Sequence, residues 1–519
     1  MGEPMRLKRG SGILVHLSSL PSENGIGDIG NAALRFIRFL NNSGQRYWQI
    51  LPIGPTSEAF DNSPYTSCSV FAGNPLLISP EWLKDVGLLR PGYLPPIPDF
   101  SEYFVEFSKV IPYKTALLEQ AFALFMKRRR AFPVFNVFCE EERHWLDDYV
   151  LFMSLKEENG QKPWRDWPAP EAQRDPQALK TVARRLAKRV MFHKFVQYCF
   201  YFQWDKFRSA AKEKGIVLVG DMPIYVALDS ADVWAHQELF KLDRKSLQPT
   251  HVSGVPPDYF STTGQRWGTP IYRWVDGEGH QNLALYSWWV ARLRHTMRTV
   301  DIVRIDHFRG FEAFWEIPAE EETAINGRWV KGPGLHLFKT LSQELDYLPI
   351  IAEDLGVITP EVEELRDEMG FPGMKVLQFA FDADADNPHL PHNYRGPSCI
   401  VYTGTHDNDT TVGWLLSDKV PEQGKRQALR YANSRDGAQI HWDFIRMAYA
   451  SVAAMAIVPL QDVLGFGNDC RMNIPSTKKG NWVWRCAPRF LTADLGRRLQ
   501  DETLFYGRGI KPDIPREKT

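Results

Sequence analysis

Short apolar runs rich in β-branched residues recur along the chain, each bounded by glycine, proline or polar residues. They are GILVHL (12–17), YWQILPI (47–53), IVLVGDMPIYV (216–226), DIVRIDH (301–307), LPIIAEDLG (348–356), MKVLQFAFD (374–382), CIVYTGTHDND (399–409) and AIVPLQDVLG (456–465). Near-continuous apolar character is what parallel strands covered on both faces require, because neither face meets water. Between most of these runs the apolar positions switch to a helical period, as at 31–43, 283–299, 335–346, 360–369 and 421–434. Eight such units predict an α/β fold, a (β/α)8 TIM barrel. The rival is an open doubly wound sheet that binds nucleotide at its switch point. No G-x-G-x-x-G follows the first run and no G-x-x-x-x-G-K-[ST] occurs, so the barrel is preferred.

The spacing of the runs is uneven. It predicts a single barrel over 1–519 with two insertions at the C-terminal face of the strands. The first, 56–205 between strands two and three, reads as mainly helical. The second, 227–300 between strands three and four, is loop-like and rich in proline, glycine and aromatics. A chain of 519 residues exceeds the usual single domain, so length alone allows two domains or one large barrel with insertions.

Charge narrows the partners. The 62 basic and 63 acidic residues nearly cancel, so no field favours nucleic acid or an anionic membrane surface. The runs KRRR (127–130) and RRLAKR (184–189) read as solvated helix faces. Six cysteines at 68, 139, 199, 399, 470 and 486 form no C-x-x-C pair and have no histidine at metal spacing, so reduced packing thiols are expected. The N-terminal MGEPMRLKRGSG lacks a secretion-type apolar run, and AYASVAAMAIVPL (448–460) is too short to span a bilayer of roughly 30 Å. A cytoplasmic protein with no membrane partner is expected; oligomeric state is not legible. Many of the 17 Trp, 18 Tyr and 31 Phe must fill core, but several fall in Gly/Pro-rich segments that cannot be core elements. Loop aromatics suit a sugar-binding cleft, since a ring face stacks on the C–H face of a pyranose.

In a barrel of this kind the active site lies at the C-terminal strand ends, and polar residues gather there. The third run ends in Asp221 and the fourth in Arg304-Ile305-Asp306-His307. The fifth ends in Glu353-Asp354, the seventh in His406-Asp407-Asn408-Asp409 and the eighth in Gln461-Asp462. Side chains alternate along a strand, so Arg304 and Asp306 point together towards the barrel axis. An arginine beneath a carboxylate favours its ionised form, as a nucleophile at neutral pH requires; a buried ion pair is the alternative. Glu353 leaves a strongly apolar strand, which would raise its pKa and suit proton donation. It could equally cap the next turn, with Asp354 the functional member. Asp407, after His406, is a third carboxylate. A metal ligated by these groups would be repelled by Arg304, so no metal is expected. Paired carboxylates in an aromatic cleft suit glycosidic chemistry.

The segments RIDHFRG, AEDLG and THDND resemble the catalytic strand ends of the α-amylase superfamily. GILVHLSSLPS, DNSPYTSCSVFAGNP, GDMPIYVALDSADVW, GVPPDYFSTTGQRWGTPIYRW, RIDHFRGFEAFWEIP and RMNIPSTKKGNWVWR resemble one branch, the 4-α-glucanotransferases (amylomaltases or disproportionating enzymes). The likeness runs from about Ser11 to Arg485. It implies that Asp306 is the nucleophile, Glu353 the general acid/base and Asp407 the transition-state stabiliser. It further implies that Arg304 orients Asp306 and that His307 and His406 contact sugar hydroxyls. Tyr65 would border the same subsite, with Asp221 supporting it. The segment 254–268, with Tyr259, Phe260, Gln265 and Trp267, would be a flap over bound glucan, hinged at Gly254, Gly264 and Gly268. Asn473 and Trp482 would lie near the cleft. The implied substrates are maltooligosaccharides and starch- or glycogen-derived α-1,4-glucans, with no cofactor. A hydrolase using the same residues, or a non-catalytic glucan-binding protein, are the alternatives. Two departures stand out: NIPST (473–477) where relatives often carry Gly for Ser476, and Phe60 where some carry tyrosine beside a secondary glucan site, so that site is not expected.

Overall fold

The computed structural model describes residues 5, 7–90, 92, 94–257 and 261–509. Its centre is an eight-stranded parallel sheet: β1 (Gly10–Leu14), β2 (Tyr47–Gln49), β3 (Val217–Pro223), β6 (Ile302–Asp306), β9 (Ile350–Ala352), β10 (Gly373–Val376), β11 (Cys399–Tyr402) and β12 (Met455–Pro459). Hydrogen-bonded neighbours run β10-β11-β12-β1-β2-β3-β6-β9. The amide of Ala352 in β9 donates to Pro372 O just before β10 at 3.0 Å, so the ends of the sheet meet and the barrel closes. Each of the eight apolar runs supplies one strand, and helices cover the outside, as the pattern predicted.

Three groups of elements position the site. Helices including Phe107–Arg128, Arg143–Glu158 and Ala187–Glu213 lie between β2 and β3. The last is tied to the barrel by Trp204, whose Nε1–H donates to Thr299 O at 2.9 Å. A second, antiparallel sheet, in the order β5-β4-β7-β8, is formed by β4 (His251–Val255), β5 (Gln265–Pro270), β7 (Ala313–Pro318) and β8 (Arg328–Lys331). The segment that reads as loop-like thus holds a hairpin, β4–β5. Its Gly and Pro content masks the strands because the ladder tolerates them at an edge and at a register shift between Val252 and Gly254. Finally, the connection after β12 brings residues 471–486 back over the barrel mouth, where the amide of Cys486 bonds Ser19 O at 2.8 Å.

The core is one continuous apolar cluster running through the barrel and its helices. At the opposite end, the fully buried Arg508 donates to carbonyls that include Gly10 O and Ala454 O, fastening β1 to β12. All six cysteines are unpaired. No helix among the described residues is long and apolar enough to cross a membrane.

Candidate active site

The parallel register of β3 and β6 sets Asp221 beside Arg304 and Pro223 beside Asp306. Arg304 Nη1 consequently lies 2.7 and 2.6 Å from the two oxygens of Asp221, and its Nη2 lies 3.0 Å from Asp306 Oδ1. The guanidinium edge that remains, Nε, meets Met374 Sδ at 3.4 Å. Tyr65, 156 residues away in sequence, donates its hydroxyl proton to Asp221 Oδ2 at 2.7 Å. Asp221 and Arg304 are buried, whereas Asp306 keeps 31% of its side chain exposed, so it is the member that reaches the cleft. Burial pushes the Arg304 guanidinium down, but Asp221 and Asp306 outweigh it and hold it firmly protonated. Burial raises Asp306 to about 6, with Arg304 opposing and Asp221 and Asp407 adding to the rise. One cation thus serves two carboxylates, and Asp306 receives the weaker share.

Glu353 follows β9 directly opposite. Because Ile305 pairs with Ala352, the next residues, Asp306 and Glu353, face the same side on neighbouring strands. Glu353 accepts only backbone donors, His307 N at 2.7 Å and Leu355 N at 3.0 Å. Burial first and the charge of Asp306 second raise its pKa to about 8. The turn that brings His307 N to it has His307 in the left-handed region, φ 54°. Asp354 points the other way, accepting Met374 N at 2.7 Å and pairing with Arg366.

Asp407 stands on the loop after β11 and is about half exposed, its Oδ2 3.3 Å from His406 Nε2. Asn473 Nδ2 donates to its Oδ1 at 2.6 Å, and Arg471 donates to its carbonyl at 2.8 Å. The His406 ring stacks on Tyr65 at 5.1 Å, and the Trp482 ring lies 5.6 Å from Tyr65. Asp462, by contrast, turns inward to accept Thr403 Oγ1 at 2.5 Å and Thr411 N at 2.7 Å, so it braces the loop.

Over the opposite edge hangs the β4–β5 hairpin. Trp267 is 39% exposed and meets the His307 ring edge-on at 4.8 Å. Its Nε1–H donates to Gln265 Oε1 at 3.2 Å. Burial, with Arg309 adding, holds His307 well below the usual imidazole range, at about 3, so it is neutral. Gly264 has φ +68°, but Gly254 does not; a Cβ there would sit 2.2 Å from Gln265 O. Gly254 is therefore required by close strand approach rather than by hinge freedom. Tyr259 and Phe260 lie outside the described residues. Three contributors escaped sequence reasoning. Arg471 donates to the Asp407 carbonyl, Tyr225 meets Trp267 at 6.3 Å, and the buried His16 feels the charge of His406. Each lies in a segment that resembles the family, and Tyr225 also stood out as an aromatic just beyond the third strand.

No group of three or more His, Cys, Asp or Glu among the described residues is arranged to hold a metal. The position a cation would take, between Asp221 and Asp306, is occupied by the Arg304 guanidinium. The arrangement offers an ionised carboxylate, a protonatable one, a third acid held by an amide, and aromatic faces on either side.

Residues 15–492 match the 4-alpha-glucanotransferase family, glycoside hydrolase family 77. A 4-alpha-glucanotransferase of Synechocystis is 49% identical, over 97% of this chain and 99% of that one. One of Thermus thermophilus is 47% identical over 96% and 98% respectively. Among solved structures, the amylomaltase of Streptococcus agalactiae in complex with acarbose superposes with a TM-score of 0.92 at 38% identity, covering 97% of this chain and 100% of that one. The amylomaltase of Corynebacterium glutamicum shares the fold, with a TM-score of 0.75 at 18% identity over 95% and 75%.

Proposed function

The chain belongs to the 4-alpha-glucanotransferase family, and from that premise we propose that Asp306, Glu353 and Asp407 transfer segments of α-1,4-glucans by a retaining double displacement. In the first half, an Asp306 oxygen attacks the anomeric carbon of a donor glucosyl unit. The bond to the leaving 4-oxygen breaks as Glu353 gives that oxygen its proton. In the second, the 4-hydroxyl of glucose or another glucan attacks the same carbon. Glu353 takes its proton and the ester to Asp306 breaks. Asp407 steadies the oxocarbenium-like transition state, with Asn473 fixing its carboxylate. Arg304 keeps Asp306 ionised and aimed, Asp221, itself bound by Tyr65, holds Arg304, and His307, kept neutral by burial, serves sugar hydroxyls together with His406.

The observation that carries this reading is the order of the two acids. Asp306, at about 6, is ionised and Glu353, at about 8, is protonated at neutral pH, so each begins in the form its step needs. Transfer rather than hydrolysis requires water to be poorly placed at the ester. The Trp267 hairpin and the Tyr65–His406–Trp482 cluster supply apolar faces for that purpose. Maltooligosaccharides and starch- or glycogen-derived glucans are the proposed substrates. The test is purified protein with maltotriose alone. Glucose and a ladder of longer maltooligosaccharides at constant reducing ends is expected. A rise in reducing ends with only shorter products would assign it hydrolysis instead.

A further inference from the structure

Away from the catalytic strand ends, a cavity of about 400 Å³ opens between three helices: Arg143–Glu158, Ala231–Ala235 and Leu283–Thr299. Its volume falls within the roughly 300–1,000 Å³ of small-molecule sites. Phe71, Trp145 and Trp288 line its depth, with Phe71 and Trp145 nearly parallel at 6.2 Å and Phe71 and Trp288 at right angles. Asp232, only 4% exposed, also lines it. Its Oδ2 accepts Val70 N at 3.0 Å, and no other described residue donates to Oδ1. Besides Val70 the carboxylate has its own amide nearby, and Oδ1 keeps capacity to accept a further hydrogen bond. Around the mouth stand Asp148, His236 and Ser287.

We propose that this cavity is a second saccharide-binding site, taking a disaccharide-sized segment of a neutral glucan, with Asp232 Oδ1 accepting from a sugar hydroxyl. Aromatic faces flanking a carboxylate acceptor form the combination a pyranose needs: apolar C–H faces to cover and hydroxyl protons to receive. Charge selects against the obvious rivals. Three carboxylates, Asp148, Asp232 and Glu238, line the cavity with two histidines, His144 and His236, and no lysine or arginine, so the balance of charge disfavours a phosphorylated sugar or a nucleotide. That the sugar is a glucan rests on the proposed function. The site also backs onto the catalytic centre: Val70 and Phe71 lie on the same loop as Tyr65, and the amide of Ala231 donates to Cys68 O at 2.8 Å.

The experiment counts sites. Equilibrium dialysis of labelled maltotriose against the Asp306→Ala protein, which lacks the proposed nucleophile, measures equivalents bound without turnover. Ser287 and Ala284 are exposed on the same helix at the mouth, so Ser287→Trp or Ala284→Trp fills the opening from a tolerant position. In the Asp306→Ala background each is expected to remove one equivalent and leave the rest, with Ser287→Ala retaining all of them. Equal binding by Ser287→Trp, Ala284→Trp and Ser287→Ala would overturn the proposal. Failure of the proposed function would show separately, as an unaltered Asp306 protein that leaves maltotriose unchanged.

Discussion

Replacing Asp221 by asparagine separates the site's electrostatics from its stability. Asp221 is fully buried and takes Arg304 through both oxygens, so neutralising it leaves a buried guanidinium with Asp306 as its sole anionic partner in direct contact. Breaking such a pair costs about 3–5 kcal/mol, towards the lower figure here because the amide oxygen still accepts. Thermal unfolding should therefore move down by several degrees. The catalytic consequence has its own sign. Asp221 raises the pKa of Asp306, and Arg304 lowers it. Removing the first frees the second, and both changes push Asp306 down.

The size follows from the strand geometry. Asp221 and Asp306 sit on neighbouring strands two residues apart in register, roughly 8 Å from a strand spacing near 4.8 Å and a rise near 3.3 Å per residue. At an effective dielectric of about 20, one unit charge at that distance contributes about 2 kcal/mol, or about 1.5 pH units. Asp306 is nearly a third exposed, and solvent screening reduces this to about one. On the proposed mechanism Asp306 works ionised, so activity is present above its pKa and lost as pH falls through it. The acid limb of kcat/KM on maltotriose should move from about pH 6 in the native protein to about 5 in Asp221→Asn, even as kcat/KM at neutral pH falls. Initial rates of glucose release across the acid range read this directly. An acid limb that stayed in place or moved upward would refute the account, because loss of stability alone leaves the limb where it was.

On the same mechanism Glu353 works protonated, so the native protein should lose activity as pH rises through about 8. Glu353→Gln should lower turnover of maltotriose by about 10²–10⁴-fold and abolish that basic limb, while α-maltosyl fluoride, whose leaving group needs no proton, should still burst-release fluoride. Trp267→Ala opens the edge above His307, so the ratio of transfer to reducing-end formation should fall; an unchanged ratio would remove the hairpin from water exclusion. Ser476 holds φ +65°, a conformation that favours glycine. Ser476→Gly should stabilise the protein by about 0.5–1 kcal/mol after the entropy of the freer unfolded chain is set against the relieved strain, measured by denaturant or thermal unfolding.

How much of this was legible depended on the range of the interactions. Barrel strands are covered on both faces, so their apolar runs announce themselves, and the polar residues that end them mark the mouth. The relation of Arg304 to Asp306 needed only strand alternation. The residues alone left Glu353 and Asp354 open and the family resemblance named Glu353; that it faces Asp306 follows from the register of β9 on β6, which no local pattern encodes. Tyr65 and Asp221 meet across 156 residues, and Asn473 reaches Asp407 across 66; Asp221 and Asp407 were legible as strand ends, but such pairs leave no periodic trace, and family resemblance alone brought Tyr65 and Asn473 forward. The β4–β5 hairpin hid for another reason, since its glycines serve close packing and its turn, features that lower strand propensity.

The two acids also bear on why one glutamate can act first as an acid and then as a base. Glu353 has no cation of its own, only two amide donors, and its elevated pKa owes a share to the negative charge of Asp306. On the proposed mechanism that charge disappears when Asp306 becomes an ester. Glu353 should then ionise more readily at the moment the acceptor hydroxyl needs a base, and recover its proton affinity when the ester breaks. Asp306→Asn imitates the neutral ester while keeping the shape of the side chain. Infrared difference titration of the Glu353 carboxyl should therefore give a value clearly below about 8 in Asp306→Asn. A carboxyl that titrated as in the native protein would mean that burial alone sets it, and the acid would need another reason to become a base.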